Sequence, residues 1–174
     1  MPGMKPMLRA HRTSLATNPA AFEADLPRLP STLVPHLRRC GYRRIGIRAA
    51  RPLVEEVIER LFEAQGRRPL FHVDEALPYC WNAPKHWPRD HILYEWGHLR
   101  SRNQNEDAEQ LDNLALCSAR CNQHIQTSMD IGEVQAWLAG SRVAHRIDAV
   151  LASRAQLFGS IAWRDLCARL AAFR

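Results

Sequence analysis

The sequence predicts an α+β fold, mainly helical overall, in which a small frame of two strands and a helix sits among amphipathic helices. Three observations predict it. Apolar residues recur at helical spacing over residues 53–62 and again over 143–173. Between them lies a turn-rich, polar stretch whose regular pieces are short and β-like. The chain has 174 residues, enough for one core with appendages but not for several domains.

Taken in order, residues 1–30 carry prolines and scattered basic residues without periodicity, and read as a flexible basic arm. Residues 31–75 read as a basic strand-helix segment. Its strand is "GYRRIGIR", with Ile45 and Ile47 on one face and Arg44 and Arg48 on the other. Its helix is "RPLVEEVIERLFEAQG", with Pro52 suited to a first turn and Gly66 to a C-terminal cap. Leu53, Val54, Val57, Ile58, Leu61 and Phe62 form its core-facing stripe. Residues 76–130 hold the polar stretch: a β-like piece at residues 90–94, a polar loop over 97–112, "NLALC" as a short strand or turn, and a short helix in "SARCNQHIQTS". Residues 131–174 are helical. Asp130 and Glu133 make a capping-box-like start, with Gly140 as the stop. Two further amphipathic helices bury Val143, Ile147, Val150 and Leu151, then Ile161, Leu166, Leu170 and Phe173.

Charge is unevenly spread. The net charge is +6, yet residues 1–50 carry nine Lys or Arg against two acids, so the whole excess lies in the first fifty residues. Arg38, Arg39, Arg43, Arg44 and Arg48 form its densest part, a footprint suited to phosphate and hence to nucleic acid. The same run also suits a solubilising arm. No apolar run reaches the length of a membrane span and no secretory leader is visible, so a cytoplasmic protein with no membrane partner is expected. Five cysteines fit a metal site better than a disulfide framework.

The polar run supplies its own chemistry. Asp90 is a hard oxygen ligand, and its neighbour His91 titrates near neutrality. Adjacent strand residues point to opposite faces, so both serve one site only across a distorted strand or bulge. Asn113 can fix a loop by bonding to backbone, and Asn122 and His124 lie on the short helix beyond it.

The order "DHI", "DNLALC", "CNQH" resembles the HNH (ββα-metal) nuclease motif over about residues 76–130. The offset of nine from Asn113 to Asn122 is similar to that between the family's loop asparagine and its helix ligand. The resemblance implies a metal-dependent endonuclease that hydrolyses DNA phosphodiester bonds, with double-stranded DNA as partner. His91 would be the general base, with Asn113 orienting it. Asp90 and Asn122 would hold one divalent ion, Mg²⁺ or Mn²⁺, and the ends left would be 5′-phosphate and 3′-hydroxyl. His124 is the alternative to Asn122 as ligand; the two point about 200° apart on a helix, so they do not share one ion. His98, in "EWGHL", is a further candidate ranked behind both, since most isolated loop histidines are solvated. A restriction, phage or defence enzyme is implied, working as a homodimer where both strands are cut.

This chain departs from the pattern in three ways. The proline after "DHI" and the loop Gly-Gly are missing, and the loop "NEDAEQLD" is acidic, so the N-terminal arginines would have to meet the DNA. The usual pair of Cys-x-x-Cys motifs is replaced by Cys117-x-x-x-Cys121, with Cys80 alone upstream and Leu77 in its partner's place. A structural Zn²⁺ on Cys80, Cys117 and Cys121 would need a fourth ligand from Cys40, His72 or His86; otherwise the thiols pack as small apolar groups. The alternative function is a non-catalytic, zinc-stabilised nucleic-acid-binding module. A metal hydrolase of a small substrate is a third reading, which leaves the basic segment unexplained.

Overall fold

The computed structural model describes residues 26–71, 94–103, 105, 108–118, 121, 122, 126 and 128–174. Among them the order is a 3-10 turn (Leu26–Arg28), α1 (Leu29–Arg39), α2 (Ile47–Ala64), β1 (Tyr94–His98), a 3-10 turn (Leu111–Asn113), β2 (Leu114–Ser118), α3 (Ile131–Trp137), α4 (Arg142–Gly159), α5 (Ile161–Leu170) and a closing 3-10 turn (Ala171–Phe173). The mixed, mostly helical class is as expected.

Helical structure begins inside the stretch expected to be an extended arm. Leu29, Leu33 and Leu37 recur every fourth residue and are fully buried, and Pro30 occupies the first turn, where no N–H is needed. The strand expected over residues 41–48 does not form. Gly41, at φ +95°, ends α1, a turn follows, and Ile47 opens α2. Ile45 and Ile47 thus belong to a turn and a helix, and their two-residue spacing carries no strand. α2 starts earlier than Pro52, with a kink at Ala50 (φ −127°, ψ 16°). The ring of Pro52 excludes the carbonyl four residues back, which breaks the ladder there.

Val54, Val57, Ile58, Leu61 and Phe62 are buried as their spacing implies, and Gly66 leaves the helix at φ +66°. α2 packs on α1, α4 and α5, and α4 also packs on α3. The capping box of Asp130 and Glu133 is formed at α3. Ser141 and Ser160 cap α4 and α5 by accepting from the N–H of Ala144 and Trp163. Ile161, expected in the core, is 69% exposed. It stands at the first position of α5, and Trp163 takes the inward place.

β1 and β2 form a two-stranded antiparallel sheet with Tyr94 opposite Ser118, Trp96 opposite Leu116 and His98 opposite Leu114. Such a ribbon is marginal alone, and side chains of the helical layer complete it. Gln65, at the end of α2, accepts from Leu116 N (3.0 Å) and donates to Leu116 O (2.9 Å), so one amide occupies the outer edge of β2 as a third strand would. Arg154 of α4, 2% exposed, donates to the carbonyls of Asp112 (2.8 Å) and Leu114 (2.6 Å) and lies over the Phe158 ring. Burial pushes its pKa down to about 10, so holding this charge inside is costly and depends on those carbonyls. Among the described residues no helix is long and apolar enough to cross a membrane.

Candidate functional site

The loop from β1 to β2 is organised by one asparagine. Asn113 Oδ1 accepts from Arg100 N (2.8 Å), and its Nδ2 donates to the carbonyls of Arg100 (3.1 Å) and Ala108 (2.8 Å). Its backbone carbonyl accepts from Leu99 N at 2.9 Å, which extends the ribbon one pair beyond His98. The loop's other side is tied to α3: Ile131 N donates to Leu99 O (2.7 Å), and Asp130 accepts from Ser101 N and Asn105 Nδ2. An otherwise polar loop is thereby fixed through its own backbone groups, as expected of Asn113.

This clamp holds His98, not a solvated loop residue but the last residue of β1, with a side chain 9% exposed. Gln126 Nε2 donates to its carbonyl at 2.6 Å. Its ring meets α1 because two periodicities match. Thr32 and His36 lie one helical turn apart, while Trp96 and His98 alternate onto one strand face. Trp96 Nε1 donates to Thr32 Oγ1 (3.2 Å), and the His36 and His98 ring centroids are 5.8 Å apart. His98 Nε2 lies 3.4 Å from Glu109 Oε2. The other carboxylate oxygen of Glu109 receives Arg39 Nε (3.1 Å) and Arg102 Nε (2.9 Å). Arg39 also donates to His36 Nδ1 at 2.8 Å.

Both imidazoles are pushed toward the neutral form. Burial, reinforced by Arg39, pushes His36 down to about 4. Burial also lowers His98 below its ordinary value, with Glu109 opposing. His36, His98 and Glu109 each offer one ligand atom within 4.8 Å of the others, a group of the composition that holds a metal.

The opposite face of β1 carries Glu95 and Gly97. Asn122, just beyond β2 in helical conformation, donates from Nδ2 to Glu95 Oε2 at 3.1 Å. A Cβ on Gly97 would stand 2.8 Å from Asn122 Oδ1 and 2.6 Å from Cys117 Sγ, so only glycine admits this approach. Gly97, His98, Asn122, Gln126, His36 and Arg102 line one cavity of about 480 Å³.

Of the residues expected at the site, Asn113 clamps the backbone that follows His98 and Asn122 lines the cavity with His98; Asp90, His91, His124 and Cys80 lie outside the described residues. Cys117 and Cys121 are buried, with Cys121 Sγ 3.5 Å from Phe71 O, and burial pushes the Cys117 thiol up to about 12. All five N-terminal arginines are exposed, and some also brace the fold. Arg38 donates to Ile45 O (3.0 Å) and Arg44 to Ala172 O (3.2 Å), bracing the fold. Arg39 faces the cavity cluster, and Arg43 and Arg48 are exposed. Sequence reasoning ranked His98 last among the candidate histidines and missed His36, Glu109 and Glu95. For His98 a signal exists: the alternation Tyr94, Trp96, His98 continues the strand to the histidine. For His36 none exists, since it belongs to a segment distant in sequence, and Glu109 is one of several acids in the loop, with nothing to set it apart from its neighbours. No family model, no curated protein and no solved structure matches this chain.

Proposed function

We propose that the chain is a metal-dependent phosphodiester hydrolase of the HNH type, acting on DNA, with His98 as its general base. The observation that carries this reading is the hairpin itself: the asparagine before β2 clamps the backbone that follows a histidine at the end of β1, and Asn122 beyond β2 packs against the same strand. That is the order of parts the resemblance implies, with His98 in place of His91. Gly97 stands where the pattern has aspartate, so a carboxylate must come from elsewhere. Glu95, on the same strand face and bonded to Asn122, is suited to supply it. An amide and a carboxylate are hard oxygen donors and fit Mg²⁺ or Mn²⁺. Glu95 and Asn122 would hold that ion, whose chemistry when bound is to neutralise charge on the leaving oxygen.

The remaining work falls to the chain. Glu109 faces Nε2 of His98 and favours the tautomer with its proton there, which leaves Nδ1 to take a proton from the attacking water. The new bond joins the water oxygen to phosphorus, and the bond to the 3′ oxygen breaks. Arg102, at the cavity, and the exposed Arg43 and Arg48 supply positive charge for the DNA backbone.

The test is cleavage of supercoiled plasmid with Mg²⁺ or Mn²⁺, using wild type, His98→Ala, His91→Ala, Asn122→Ala and an EDTA control. Wild type is expected to cut. His98→Ala should lose about 100-fold or more, the ordinary contribution of a general base, and Asn122→Ala should also lose cutting. Loss in His91→Ala with His98→Ala intact would return the base to His91. Binding without cutting would favour the zinc-stabilised binding module.

A further inference from the structure

We propose that His36, His98 and Glu109 form a second cation site, selective for a transition metal such as Zn²⁺ or Co²⁺ over Mg²⁺. Three elements converge on it: α1 brings His36, the end of β1 brings His98, and the loop before β2 brings Glu109. Their ligand atoms lie within 4.8 Å of one another. Ligands around a tetrahedral Zn²⁺ at about 2.0–2.1 Å stand roughly 3.3 Å apart, so rotamer adjustments of about an ångström close the set. Two imidazole nitrogens with one carboxylate suit zinc or cobalt; magnesium and manganese prefer oxygen donors. The set shares no ligand with the Glu95–Asn122 pair, although His98 and Asn122 line the same cavity.

Its surroundings explain how it stays assembled without a cation. Arg39 and Arg102 neutralise Glu109, and Arg39 satisfies His36 Nδ1. A bound cation takes over these roles, releasing the Arg39–His36 contact and freeing the arginines toward solvent or phosphate. The two arginines also make the site weaker than a bare His-His-Glu set, because they repel the incoming charge. The consequence for hydrolysis rests on the reading of His98 as base. An imidazole metallated at Nε2 carries its proton on Nδ1 and has no lone pair left to accept one from water. Filling this site therefore switches hydrolysis off, and trace zinc inhibits the magnesium-supported reaction.

The test uses the full chain, stripped of metal, titrated with Co²⁺ and followed by its visible absorption, and with Zn²⁺ by calorimetry. Wild type is compared with His36→Gln and Glu109→Gln, each checked for an unchanged circular dichroism spectrum. One Co²⁺ per chain is expected, without the thiolate charge-transfer band that cysteine ligation produces. Affinity should fall at least tenfold in both variants. Equal affinity in wild type and both variants, or a thiolate band, would overturn the site. In parallel, plasmid cleavage in Mg²⁺ is measured with added Zn²⁺. His36→Gln should cut as wild type does but resist zinc at concentrations that stop wild type. Cobalt binding lost in the variants, with no cutting by any protein, would uphold the site and refute the nuclease reading. Cutting that zinc inhibits equally in wild type and His36→Gln would refute the inhibitory role.

Discussion

Asn113 is where the fold and the candidate site meet, and its replacement has a calculable cost. Its side chain makes three hydrogen bonds to backbone, with Arg100 N, Arg100 O and Ala108 O, besides a longer one from Arg100 Nε (3.5 Å), and is 2% exposed. At about 1 kcal/mol net for each neutral bond, with some penalty for groups left unmet, Asn113→Ala should cost about 2–4 kcal/mol. In a chain of this length that corresponds to a melting temperature lower by roughly 5–15 °C. Asn113→Asp is the sharper test, because the side chain keeps its shape. Its carboxylate turns two donors into acceptors that face the carbonyls of Arg100 and Ala108, so at neutral pH it should be at least as damaging as alanine. The assay is urea unfolding of both variants, joined to hydrogen exchange on the peptide spanning residues 99–113, since the loop can open locally before the core does. The Arg100 N–H should lose protection in both. An aspartate variant within about 1 kcal/mol of wild type, with Arg100 still protected, would refute the donor-acceptor arrangement assigned to Asn113.

Three further outcomes follow from the packing. Gly97→Ala drives a Cβ against Cys117 Sγ at 2.6 Å and Asn122 Oδ1 at 2.8 Å; a loss of about 1–3 kcal/mol in urea unfolding is expected, and cleavage should fall as Asn122 moves. Arg154→Met keeps the apolar bulk but leaves the carbonyls of Asp112 and Leu114 without their donor, and should cost about 3 kcal/mol by the same measurement. The buried Cys117 thiol, pushed up to about 12 from 9.0, keeps its proton over an alkaline range in which the unfolded chain has lost it. Stability is then complete below pH 9 and falls as pH rises toward 12, by up to about 1.4 kcal/mol per pH unit. Cys117→Ala should flatten that alkaline slope, and in native wild type this thiol should resist alkylation at pH 8 until urea is added.

Much of the architecture was legible in the sequence because it depends on local periodicity and capping. The stripe from Val54 to Phe62, the capping box of Asp130 and Glu133, and the strand "NLALC" each express a preference of neighbouring residues for one another. Asn113 was legible too, since an asparagine just before a buried strand has backbone groups within its own loop to bind. Other features depended on packing between distant segments. Ile45 and Ile47 alternate like a strand, yet no partner strand meets them among the described residues, and a helix claims Ile47. Ile161 fits a helical stripe, yet the neighbours of α5 leave its first position facing water. His98 sits among polar residues that look like loop, and only its pairing with Leu114 makes it part of a strand.

The His36–His98–Glu109 cluster spans more than seventy residues and depends on α1 docking one turn per strand pleat against β1. The sequence by itself therefore determined the helical frame, the polar hairpin region and the asparagines that organise it. Tertiary structure alone decided which histidine ends the strand and which side chains surround it. The reason is physical: period and capping act over a few residues, whereas the surroundings of an imidazole come from elements the chain brings together only on folding.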